Sequence, residues 1–300
     1  MIQLVGIPTF AGALYPGTEA TPVALRSHGL LQTIADAGIT VSDFGDIALP
    51  TDLPRHNVPP VRNWPAPRMV WETIVAQGSS WFDPEKFNLL LGGDCSIVVG
   101  VADHLAKLYG DKLYLLVIDA HVDVVKPDPN VCVGAAAMGL WFLTNKNLLW
   151  PKPETINPEQ ITVVACQNPP AETYGIQTIT LEQLRQSIKQ TIVSVLSNIP
   201  EDAKILIHFD VDSVGKDEMP AAYAPSETGL TIVECHELLT NIIADPRTIA
   251  MEVTEFSAIK DEDGHNAWSL NNLLADSLRE GLKERKLQTG QETIVVNQNN

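Results

Sequence analysis

The sequence predicts an α/β protein built on a parallel sheet with helices on both faces. Three observations lead there. Short apolar runs alternate with longer amphipathic stretches along the chain. Two of the runs, LYLLVI and ILIHF, are apolar almost throughout, as strands covered on both faces must be. Acidic residues cluster just where such runs end.

Taken in order, residues 2–7 read as a strand and residues 22–37 as one helix with Leu25, Leu30, Leu31 and Ile34 on its apolar side. Residues 51–68 are rich in Pro and Asn and read as an extended surface loop. Residues 87–91 form a short strand that enters Gly92-Gly93, with a helix over 97–108. Strands follow at 113–118 and 161–166, and a long helix at 180–196. A strand at 205–209 ends on Asp210, a helix covers 231–243, a strand 248–253, and a final helix 269–286. The segment 122–140 is Gly/Ala-rich and follows an acidic strand end, a position from which a loop can shape a pocket. Residues 289–300 read as a loosely held tail or an edge strand. No linker forces a boundary, so residues 1–300 are expected to form a single domain.

The 300 residues are 45% hydrophobic and 19% charged, ordinary for a globular protein. The net charge of −17, from 37 acidic and 20 basic groups, opposes a nucleic-acid surface, which needs clustered Lys and Arg. It suits a cationic small-molecule partner. No apolar stretch reaches the roughly 18 residues of a membrane helix, and the first residues lack the basic start of a secretory signal. Cys95, Cys132, Cys166 and Cys235 are far apart and form no CxxC pair, which fits reduced thiols in the cytoplasm.

The chemistry lies at three strand ends. Asp119, His121 and Asp123 alternate just past the 113–118 strand, and a turn there can bring all three to one point. Asp210 and Asp212 repeat the pattern at a second strand end. Gly92-Gly93-Asp94-Cys95-Ser96 supplies the third. Its glycines permit close backbone approach, Cys95 is a candidate thiolate ligand, Asp94 a supporting hydrogen-bond acceptor, and Ser96 a helix cap. Each motif alone also suits a solvated turn. Together, at the ligand-binding end of a parallel sheet, four carboxylates would repel one another without cations. One divalent ion balances two of these charges, so four carboxylates and a histidine match two ions. His208 lies within an apolar run and reads as a structural strand residue. His104, His236 and His265 have no convincing partner pattern.

These residues together resemble the ureohydrolase superfamily of arginase, agmatinase, formiminoglutamase and related amidinohydrolases. The resemblance runs from VGIPTFAGALYPGTEATPVALRSHGL and GDIALP through GGDCS and DAHVD to FDVDSVGKDEMPAAYAPSETGL and MEVTEFS. It implies a three-layer α/β/α fold around a mostly parallel sheet of eight strands. It implies two Mn ions, one held by Cys95, Asp119, Asp123 and Asp210, the other by His121, Asp119, Asp210 and Asp212. It makes Asp123 the group that orients a hydroxide and Glu255 the partner of a substrate guanidinium. A homotrimer or homohexamer is the assembly it implies.

The departures from that family pattern carry information. Cys95 stands where the family usually has His, and a thiolate is softer, which opens the site to Fe, Ni, Co or Zn. A Cys at this position and a Gly-Leu-Trp segment, here Gly139-Leu140-Trp141, resemble a branch that acts on hydroxyarginine. Met138 stands where a proton-transferring His is common, and is expected to pack against the pocket. Val125 replaces an Asn that contacts the substrate carboxylate, and the 167–172 segment keeps only Glu172 of the residues that read an amino-acid head group. The expected function is hydrolysis of a guanidino or amidino C–N bond in a substrate other than ordinary L-arginine. The alternative is a non-catalytic metal-binding relative with a structural or regulatory role.

Overall fold

A computed structural model describes residues 1–151 and 156–288. In chain order the elements are β1 (Ile2–Gly6), α1 (Thr21–Ser27), α2 (Leu30–Asp36), β2 (Val41–Asp46), α3 (Ala66–Ala76), α4 (Gly78–Trp81), β3 (Phe87–Leu91), α5 (Ile97–Tyr109), β4 (Leu113–Ile118), α6 (Gly139–Thr144), β5 (Ile161–Cys166), β6 (Gln177–Thr180), α7 (Leu181–Gln186), α8 (Ile188–Ser197), β7 (Lys204–Asp210), α9 (Ile232–Ile243), β8 (Thr248–Thr254) and α10 (His265–Gln288). The strands join in the order β2-β1-β3-β8-β7-β4-β5-β6. Every neighbouring pair is parallel.

Strand alternation divides the interior into two layers. On β7, Ile205, Ile207 and Phe209 pack into one cluster with α1, α2 and α7 to α10, while Leu206 faces the other cluster. That second cluster holds α3 to α6 and an aromatic group in which Trp71 meets Phe142 and Trp150 edge-on. The architecture is therefore the three-layer α/β/α arrangement with eight strands, and its sheet is parallel throughout.

Two helices expected to be continuous are each broken. Between α1 and α2 the chain passes through Gly29 at φ 91°, a left-handed turn that glycine adopts without strain. Leu25, Leu30 and Ile34 stay buried on both sides of the break, so the apolar pattern survives although the backbone turns. Between α7 and α8, Ser187 is extended (φ −170°) and its hydroxyl accepts from Gln190 N, starting a new helix. Strands β2 and β6 were not expected. They lie at the two edges of the sheet and are largely exposed or half-buried, so they lack the apolar run that marks the central strands. Helix α3 begins at Ala66, inside the expected 51–68 loop, with Pro67 tolerated in its first turn, and α10 begins at His265, where the Asp261 carboxylate accepts from Asn266 N and Ala267 N. The tail 289–300 lies outside the described residues. Among the described residues, no helix is long and apolar enough to cross a membrane.

Candidate metal centre

The four central strands, β3, β8, β7 and β4, end level with one another. Leu91 pairs with Val253, Val253 with Phe209, and Phe209 with Ile118, so one row of residues crosses all four. The segments leaving this row carry Cys95, Glu255, Asp210 with Asp212, and Asp119 with His121 and Asp123. Parallel strands leave their carboxyl ends together, which is why ligand sites form there.

Each segment is held locally. After β3, a Cβ on Gly93 would lie 1.8 Å from the Thr9 carbonyl oxygen, so no larger residue fits. Asp94 is fully buried and accepts from Gly12 N (2.9 Å) and Ser96 N (3.1 Å), tying the first loop to the site. Ser96 stands at the start of α5 but makes no side-chain capping bond, contrary to expectation. After β4, Asp119 Oδ1 accepts from His121 N at 2.6 Å, and Asp123 takes φ 53°. The Asp123 carbonyl accepts from Leu140 N (3.1 Å). A turn, not extended alternation, therefore brings the three side chains together. Asp210 makes the same local bond to Asp212 N at 2.7 Å. Glu255 sits at φ 62°, its carboxylate accepting from Cys95 N at 2.7 Å.

The side chains converge. His121 Nδ1 is 3.1 Å from Asp212 Oδ2 and 3.5 Å from Asp119 Oδ1. Cys95 Sγ is 2.8 Å from Asp210 Oδ2 and 3.2 Å from Thr254 Oγ1. Cys95, His121, Asp123, Asp210, Asp212 and Glu255 line one cavity of about 580 Å³, and the fully buried Asp119 reaches it through His121. Val125 and Glu172 line the same cavity, together with Ala136 and Ala137. Met138 does not. It ends the 3-10 turn 135–138 with its side chain fully buried in the aromatic core cluster.

The electrostatics are those of an acidic site in which Asp119, Asp210, Asp212 and Glu255 are buried while His121 stays exposed. Burial, then repulsion from neighbouring carboxylates, raises Asp210 and Glu255 well above the usual carboxylate range. Burial, then Asp210, raises the Cys95 thiol. Asp212 is raised to about 6 by burial, then by Asp119. His121 is raised to about 11 by hydrogen bonds to Asp119, then Asp212. Among the described residues, two buried carboxylate oxygens here, Asp119 Oδ2 and Asp212 Oδ1, have no hydrogen-bond partner. Unpaired buried acceptors facing like charges are costly, and divalent cations remove that cost. The donor set of carboxylates, imidazole and thiolate fits such ions.

One residue outside the expected set, His208, also reaches the centre, with Glu252 behind it. His208 Nε2 lies 3.2 Å from Cys95 Sγ, and His208 Nδ1 lies 2.7 Å from Glu252 Oε1. The donor atoms of Cys95, Asp119 and His208 all fall within 4.8 Å of one another, as do those of Asp119, His121 and Asp212. The signal was in the sequence: His208 precedes Asp210 by two, so a strand puts both on one face.

A sequence profile of the arginase family matches residues 1–278. This chain belongs to the arginase family. It is 25% identical to an arginase of Staphylococcus aureus (strain MRSA252) over 281 residues, covering 89% of this chain and 93% of that protein. The solved arginase of Bacillus caldovelox superposes with a TM-score of 0.81 at 22% identity, covering 92% of this chain and 97% of that one. A proclavaminate amidino hydrolase of Streptomyces clavuligerus superposes at 0.70 with 18% identity, covering 95% and 92%. At these identities the structural matches speak for the arginase-family fold, and the donor atoms above speak for a two-ion centre within it.

Proposed function

We propose that the protein hydrolyses a guanidino or amidino C–N bond at two divalent ions. One observation carries this reading: thiolate, imidazole and carboxylate donors from adjacent strand ends meet at a cavity that also presents Glu255. When bound, the ions would lower the pKa of a water and supply a nucleophile near neutral pH. Asp119 belongs to both groups of donors, and Asp210 lies 2.8 Å from Cys95 Sγ, so both would help hold the ions. His121 and Asp212 would complete the open end, and Cys95 with Asp123 the buried end. Asp123 would also accept a hydrogen bond from the nucleophile and orient it. Glu255, fixed by Cys95 N, offers a negative charge to the substrate amidinium. Addition of water to the central carbon and cleavage of its C–N bond release an amine, which takes up a proton. A guanidine substrate leaves urea as the other product.

The cavity wall supports a substrate other than L-arginine. Val125, Ala136 and Ala137 offer no side-chain donor for a carboxylate, Glu172 is the acidic group beyond the floor, and the wall's side-chain donors are Asn168, Tyr174 and Tyr223. Manganese is the first expectation from the family, with Fe, Ni, Co or Zn favoured to the extent that Cys95 ligates. A cytoplasmic homotrimer or homohexamer fits the separate thiols and the family.

The test is urea release by metal-verified protein with Mn, Fe, Ni, Co and Zn, using arginine, hydroxyarginine, agmatine, guanidinobutyrate and guanidine. Turnover is expected on at least one, falling about 10²–10³-fold in Glu255→Gln with both ions retained. Folded protein that holds two ions and turns over none of them would favour the non-catalytic alternative.

A further inference from the structure

His208 and Glu252 form a buried pair that the hydrolytic reading leaves unused. They face each other in the β7–β8 register, and their exposures are 2% and 0%. A carboxylate oxygen 2.7 Å from Nδ1 fixes the ring proton there and leaves the lone pair on Nε2. That is how carboxylates orient metal-ligating histidines. The lone pair has no solvent to meet. Nε2 lies 3.2 Å from Cys95 Sγ, on the strand face that also carries Asp210. With metal–sulfur and metal–nitrogen bonds of about 2.3 and 2.0–2.1 Å, two donors on one ion lie about 3.1–3.6 Å apart. The observed separation is that of ligands sharing an ion. Charge points the same way. A thiolate at Cys95 adds a negative charge among carboxylates, whereas a neutral imidazole adds a donor without one.

We infer that His208 is a ligand of the buried ion, supplied from β7 and oriented by Glu252. This end of the centre would then hold a sulfur–imidazole–carboxylate set suited to Zn²⁺, Fe²⁺ or Co²⁺, while the His121 end keeps an oxygen-rich set. The inference rests on the two-ion reading of the site.

Cobalt(II) added to the full-length protein tests it. The thiolate-to-cobalt charge-transfer band reports the Cys95 ion, and X-ray absorption reports imidazole scattering. In His121→Ala the sulfur-bearing cobalt is expected to retain one imidazole, which measures His208 without altering it. His208→Ser should bind that cobalt at least about 100-fold more weakly, and Glu252→Gln about 10–100-fold more weakly, at unchanged far-ultraviolet circular dichroism. A sulfur-bearing cobalt in His121→Ala with no imidazole would overturn the inference and leave the two-ion reading standing. So would wild-type cobalt affinity in both His208→Ser and Glu252→Gln. Wild-type protein that binds no cobalt, manganese or zinc would overturn both.

Discussion

The cavity has an acidic floor and a mostly apolar wall, and the two are built differently. The floor is assembled from four adjacent strand ends in one hydrogen-bonded row, with Asx-type bonds at Asp119 and Asp210 locking each turn. The wall comes from loop residues such as Val125, Ala136 and Ala137, and from the exposed Glu172, whose carboxylate accepts from Tyr174 N at 2.8 Å. Floor positions cannot shift without disturbing the sheet, whereas wall residues can be exchanged at little cost to it. Reaction chemistry therefore belongs to the floor and substrate choice to the wall.

The largest expected effect breaks the floor. Asp210→Asn removes a charge from the middle of the donor set, and turnover should fall by about 10³-fold or more, with loss of at least one ion by elemental analysis. Near-normal turnover with both ions bound would show that Asp210 is not a shared ligand.

A smaller effect comes from protons on the same floor. With its pKa raised to about 11, His121 carries a proton at neutral pH until an ion displaces it. Asp212, raised to about 6, sheds its own between pH 5 and 7. Ion affinity should therefore climb at least about tenfold per pH unit from 6 to 8, with proton release visible by calorimetry in buffers of different ionisation enthalpy. The stability of the ion-free protein moves the other way. A folded pKa raised above the unfolded value of 3.8 means that the Asp212 contribution is present at low pH and is lost as pH rises through about 6. The gap in melting temperature between ion-loaded and ion-free protein should then widen with pH. A gap that is flat from pH 5 to 8 would contradict this account.

The smallest effect sharpens the wall. Val125→Asn places a polar amide on the cavity lining at a 42% exposed position. KM for guanidines bearing a carboxylate should fall about 3–10-fold, with ion content and kcat for other substrates unchanged. An equal change across the whole substrate panel would assign Val125 to general packing.

The floor was also more legible than the wall. Asp119, His121, Asp123, Asp210 and Asp212 sit where apolar strands end, so their place at the sheet's ligand end was legible, while the turns that converge them were not. Met138 was not legible in the same way: a residue at the end of a 3-10 turn can face either cavity or core, and here the core cluster takes it. His208 shares a strand face with Asp210, a signal the sequence carries, whereas its pairing with Glu252 is revealed only by the neighbouring strand. The edge strands β2 and β6 carry no such signal because strands half open to solvent lose the apolar continuity of buried ones. The breaks at Gly29 and Ser187 leave the apolar periodicity intact on both sides, so the pattern alone reads through them.

Among the described residues, strand β8 is the last in chain order, yet it lies between β3 and β7. Until it arrives, β2-β1-β3 and β7-β4-β5-β6 have no strand in common. During synthesis the amino-terminal three strands and the middle four can each zip up as separate blocks, and β8 joins them as a keystone. Cys95 belongs to one block, Asp119 and Asp210 to the other, and Glu255 follows the keystone itself. Capture of ions by the complete centre is thus reserved for a chain whose sheet has already closed.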